Sequence, residues 1–78
     1  MTDERATVVR DAKKKLLEAY EMLTECCQGE WKEYHRIPIS ENESPKSWRI
    51  RENAMTLEEI LPDLDAIILD INGVEGVI

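Results

Sequence analysis

From Val9 onward, apolar side chains return every three or four residues: Val9, Ala12, Leu16, Ala19, Tyr20, Leu23, Cys27, Trp31 and Tyr34. At about 100° per residue they fall within about 60° of one line on a helical wheel. Asp11, Lys14, Glu18, Glu21 and Glu25 fall on the opposite side. A chain built this way must bury one long helical face, and the rest of it has to help do so. The stripe predicts a helix over about 4–35. Thr2 or Asp3 is placed to cap its start, with acids in the first turn, where the helix dipole favours them. Gly29 costs about 1 kcal/mol against Ala in a helix interior. It is also a candidate C-terminal cap. The stripe stays in phase across it, which favours one continuous helix with a weak point at Gly29.

A second stripe runs through Leu57, Ile60, Leu61, Leu64, Ile67, Ile68 and Ile71. Thr56-Leu57-Glu58-Glu59 reads as a capping box at its start. The expected helix covers about 57–72, with Pro62 as a kink or as the first residue after a separate opening turn. Asn72-Gly73 ends it, with Gly73 expected in a left-handed cap. Residues 73–78 form a tail.

Between the helices, residues 36–55 form a connector. Ile37-Pro38-Ile39 stops the first helix, because proline bars its predecessor from helical geometry. Trp48-Arg49-Ile50-Arg51 alternates as a half-buried strand does. A short β-hairpin closing around Asn42 fits this pattern. So does a short helix capped by Ser44 with Pro45 in its first position, and so does an irregular loop. The three stand level.

The fold class is therefore mainly α. One domain is expected, a long N-terminal helix packed antiparallel on a shorter C-terminal one through a loop or hairpin. At 78 residues the chain is near the limit for a core that stands alone. Two amphipathic helices share one seam, and the shorter leaves much of the longer uncovered. Val8, Leu17, Met22 and Leu69 add apolar area away from the stripes. A helical-bundle homodimer is expected, with Val9, Leu16, Tyr20, Leu23, Leu64 and Ile68 in the self-association surface. The rival is a monomer whose connector folds back over the gap.

The formal net charge is −7. Residues 1–51 balance, while Glu52, Glu58, Glu59, Asp63, Asp65, Asp70 and Glu75 sit in a final third without a base. Such a balance disfavours direct nucleic-acid binding, which needs cations to displace counterions from phosphate. It also disfavours an anionic membrane surface. No apolar run approaches the 18 or so residues of a span. No basic start leads into an apolar run, so no secretory signal is expected. Cys26 and Cys27 are adjacent and point about 100° apart on a helix, so they do not bridge each other there. Without a disulfide framework, a cytoplasmic setting is expected.

No arrangement of reactive residues points to chemistry. Cys26, Cys27 and His35 fall short of the matched ligand set of a zinc site. His35 has no nucleophile or orienting acid placed beside it, and reads as a polar group at a helix end. Glu18, Glu21 and Glu25 share a face turned to water. Asp70-Ile71-Asn72-Gly73 fails as a calcium loop because Ile68 stands where the first acid belongs. No enzyme activity, metal or cofactor is expected. Lys46, Arg49 and Arg51 are too few for a phosphate-binding surface, and Arg49 and Arg51 are expected to face the acidic helix at Glu58, Asp63 or Asp65.

What remains is an interaction protein: a regulator, inhibitor, adaptor or assembly factor. Its expected partner surface joins the aromatic Trp31, Tyr34 and Trp48 and the bases Arg49 and Arg51 to the acids Glu58, Glu59, Asp63 and Asp65. Trp, Tyr and Arg are common interface anchors. The alternative is an acidic nucleic-acid mimic that occupies a basic groove on another protein.

Overall fold

A computed structural model describes residues 2–41 and 43–74. Two helices, α1 (Asp3–Arg36) and α2 (Pro45–Ile71), are joined through a single 3₁₀ turn at Ile39–Glu41. They form an antiparallel hairpin measuring 60 × 15 × 15 Å. The direction follows from three cross-links. Lys13 Nζ donates to Asn72 Oδ1, Cys27 Sγ–H donates to the Ala54 carbonyl at 3.6 Å, and Asn53 Nδ2 donates to Glu30 Oε2 at 3.3 Å. In these three pairs the positions sum to between 81 and 85, which sets the height of a residue against its neighbour helix to within about one turn.

α1 begins and ends close to where its sequence pattern does. The Thr2 side chain caps it by accepting from the Arg5 N–H at 3.2 Å. At the other end the Ile37 N–H donates to the Tyr34 carbonyl. Gly29 lies inside the helix, and a Cβ built there would meet nothing within 4 Å.

α2 departs from expectation at its start. It opens at Pro45 and not near residue 57, so most of the supposed connector is helix and no β-hairpin forms among the described residues. The Asn42 turn of that hairpin lies outside them. Ser44 is the N-cap, accepting from the Ser47 N–H at 3.2 Å, and Pro45 follows in the first turn. Nothing from Lys46 to Met55 breaks a helix. The alternation at 48–51 was misleading: Ile50 is buried with Ser47 and Ala54, at helical spacing, and Trp48 faces outward. Thr56 consequently sits mid-helix, where its capping box has no free N–H groups to cap. Arg49 and Arg51 share a helix with the acids they were expected to face.

The helix also continues through Pro62. That residue has no N–H for the Glu58 carbonyl, a loss of about 3 kcal/mol in a helix interior. Gly73 is not the expected left-handed cap. The chain leaves by tight turns, with Asn72 N–H donating to the Leu69 carbonyl and Gly73 N–H to that of Asp70. Of the expected tail, residues 75–78 lie outside the described residues.

The seam follows a seven-residue period. On α1 the inward positions are Ala6, Val9, Lys13, Leu16, Tyr20, Leu23, Cys27, Glu30 and Tyr34. On α2 they are Ser47, Ile50, Ala54, Leu57, Leu61, Leu64, Ile68 and Ile71. Every one is buried or half-buried, in alternating steps of three and four, which is the spacing of paired helices. Ala12, expected on the inner face, is exposed, and Lys13 takes its place with its amine drawn out to Asn72. A strict seven-residue repeat drifts about 20° per heptad from a straight helix, so a fixed wheel blurs which residue faces in.

Small residues bring the backbones together in the middle. Ala54 is fully buried against Cys27. Ser47 is also fully buried, and its hydroxyl has no hydrogen-bond partner.

Candidate functional site: an apolar ridge lined by carboxylates

Trp48, Met55, Pro62 and Leu69 stand seven residues apart on α2 and form one line along its outer surface. Trp48 is 52% exposed, Met55 43% and Leu69 61%. Residues three and four positions on flank a ridge residue on its two sides. On one side stand Arg51, Glu58 and Asp65, and on the other Glu52, Glu59 and Ala66. The ridge is thus an apolar strip between two rows of mostly negative charge. Trp48, Arg51, Glu52 and Met55 line a shallow hollow of about 230 Å³ at its loop-proximal end.

α1 contributes to the same side of the hairpin. The Trp31 indole N–H donates to Glu58 Oε1 at 2.7 Å, which ties the last turns of α1 to the middle of α2. Trp31 stacks edge-on with Tyr34, ring centroids 5.8 Å apart, and Tyr34 does the same with His35 at 5.7 Å. His35 Nδ1 lies 2.8 Å from the Trp31 carbonyl, the helix-end role its position suggested.

The expected partner residues therefore divide. Trp48, Arg51, Glu58, Glu59 and Asp65 lie on or beside the ridge, and Trp31 joins them through Glu58. Arg49 and Asp63 are exposed further round α2, and Tyr34 is a half-buried seam residue. The six residues expected to carry self-association all lie in the intrachain seam: Ile68 is buried, and Val9, Leu16, Tyr20, Leu23 and Leu64 are half-buried. Met55 and Leu69 join Trp48 in one line only in the folded chain. Their seven-residue spacing was visible, but it acquires meaning only once residues 45–56 are helical.

Cys26 and Cys27 are both free thiols, Cys26 exposed and Cys27 buried. Burial pushes the Cys27 thiol above its ordinary value, with smaller contributions from the charges of Glu58 and Cys26. Among the described residues no three of His, Cys, Asp and Glu gather into a metal-holding group. No described helix is long and apolar enough to cross a membrane. Compared with protein families, with curated proteins and with solved structures, the chain matches none.

Proposed function

We propose that the chain is a non-enzymatic protein-interaction module acting as a regulator, inhibitor, adaptor or assembly factor. The observation that carries this reading is the exposed line Trp48–Met55–Pro62–Leu69 between its rows of carboxylates. Apolar side chains exposed in one contiguous line mark interaction surfaces. The fitting partner is a protein with an apolar groove and basic edges, which takes α2 as an amphipathic helix is taken into a groove. Arg51 and the Trp31–Glu58 pair sit at the margin and set orientation. The cytoplasm is the proposed setting, supported by two cysteines left as free thiols. Self-association into a four-helix homodimer belongs to the same proposal, since one seam leaves Ile60, Ile67 and Leu17 as well as the ridge exposed.

A second reading, mimicry of a nucleic acid, draws on the exposure of Glu52, Glu58, Glu59, Asp63, Asp65 and Asp70 along one rod-like molecule. The two readings differ in what binding depends on. The partner would be recovered by affinity capture from the native host and its affinity measured across salt concentrations. The ridge predicts that Trp48→Ala with Met55→Ala weakens binding at least about 30-fold, the effect of losing a hot-spot anchor. Mimicry predicts that this pair is harmless. It also predicts that neutralising Glu58, Glu59, Asp63 and Asp65 together abolishes a steeply salt-dependent complex. Binding that survives the Trp48 and Met55 changes refutes the ridge.

A further inference from the structure

The accessible surface is 6178 Å², whereas a compact monomer of 9.0 kDa exposes about 4,850 Å². The excess is roughly 1,300 Å², and a standard interface takes about 800 Å² from each partner. One seam between two helices is too little packing for this chain. The ridge on α2 accounts for one exposed face, and the opposite flank of the seam holds another. Cys26, Glu30, Asn53, Thr56 and Leu57 line a groove of about 360 Å³ there. Continuing along both helices from Cys26 and Asn53 by sevens, the same flank carries Ala19 and Ala12 on α1, and Ile60 and Ile67 on α2. Ile60 is 41% exposed and Ile67 51%.

We infer that this flank is where a second copy of the chain docks, giving a two-fold four-helix bundle in which α1 of each copy lies over α2 of the other. The inference rests on the self-association proposed above and assigns its surface. The surface is self-complementary, as a two-fold contact requires. Paired positions sum to between 81 and 85, so Ile67 stands at a height between Ala12 and Ala19, and Ile60 between Ala19 and Cys26. A two-fold axis along the hairpin preserves these heights. It sets each isoleucine of one copy over a gap between small side chains of the other, which is the way knobs enter holes between helices. Charge agrees at the same end. Lys15, one position outside this line on α1, sits level with Asp70 of the other copy. At the loop end Arg36 meets Arg49 at matching height, and this like-charge pair bounds the contact. The two-fold axis brings Cys26 of each copy to the same height on diagonally opposite helices, while Cys27 is shielded in the seam.

The test is sedimentation equilibrium of the full chain at micromolar concentration, with bis-maleimide cross-linking beside it. Wild type is expected at twice 9.0 kDa. Ile60→Glu with Ile67→Glu, helix content held, is expected to raise the dimer dissociation constant at least about 100-fold by burying unpaired charge. Cross-linking is expected to join wild-type copies through Cys26 and to fail in Cys26→Ser. A wild type that stays at 9.0 kDa across the range overturns both the self-association and its surface. A dimer that persists in the double variant, or that does not cross-link through Cys26, overturns the surface alone. Should the double variant not fold, the cross-link in wild type still decides.

Discussion

Gly29→Ala tests the central structural claim, that α1 is one unbroken helix of 34 residues. Gly29 is exposed, and the added Cβ has open space around it, so no packing change offsets the backbone effect. Its φ is not in the left-handed region, so alanine adopts the same backbone without strain. Two contributions then favour alanine: higher helix propensity and a less flexible unfolded chain, together about 1 kcal/mol. This corresponds to a factor of about 5 in the folding equilibrium, or about 4–8 °C in Tm for a chain of this size. With a urea slope near 1 kcal/mol/M, typical of the smallest proteins, the midpoint rises by about 1 M. The assay is urea unfolding followed by circular dichroism at 222 nm, both proteins at one fixed concentration because association shifts apparent stability. Gly29→Pro, at about 3 kcal/mol in the opposite direction, serves as the breaking control. A midpoint unchanged or lowered by alanine would refute the continuous helix, because it would mean that Gly29 serves as a cap or a hinge.

Ser47→Ala is expected to leave stability unchanged or raise it by about 1 kcal/mol, read from the same curves. A buried hydroxyl without a partner costs about 1–3 kcal/mol, and its removal leaves only a small void. Pro62→Ala restores a donor to the Glu58 carbonyl and is expected to stabilise by up to about 3 kcal/mol. A loss would show that the helix needs proline geometry there. For Cys27 the raised thiol pKa sets the sign. The folded state favours the protonated form, so this contribution is whole below the ordinary thiol value near 9.0. As pH rises past that value the unfolded chain ionises first, and stability falls until the folded thiol ionises too. Unfolding measured between pH 7 and 10.5 is expected to show that decline relative to Cys27→Ala, and equal slopes would contradict it. Cys26 is expected to react with a maleimide in the native state, and Cys27 only as the chain opens, followed by mass spectrometry.

The long first helix was legible because its determinants are local: a cap at Thr2, a stripe at steps of three and four, and a proline pair-step at Ile37-Pro38. The charge division was legible too, and it places the carboxylates on α2. The start of α2 was not. Ser44 and Pro45 are good helix openers, but Trp48-Arg49-Ile50-Arg51 satisfies a strand period and a helix period about equally over four residues. What selects helix is a contact 27 residues away, where the stretch that follows lays Ala54 against Cys27.

The sequence alone determined that two amphipathic helices form and that they have more apolar surface than one contact hides. Periodicity and caps are properties of a chain segment, and they need no neighbour. Only the tertiary structure decided which residues face in. The stripes are wider than a helix–helix seam, so several rotations of each helix satisfy the pattern, and close packing of the two backbones selects one. That rotation puts Lys13 in the seam in place of Ala12. It leaves Ile60 and Ile67 on one flank and Trp48, Met55 and Leu69 on the other side. The two candidate surfaces exist because the helices could spend only the middle of each stripe on each other.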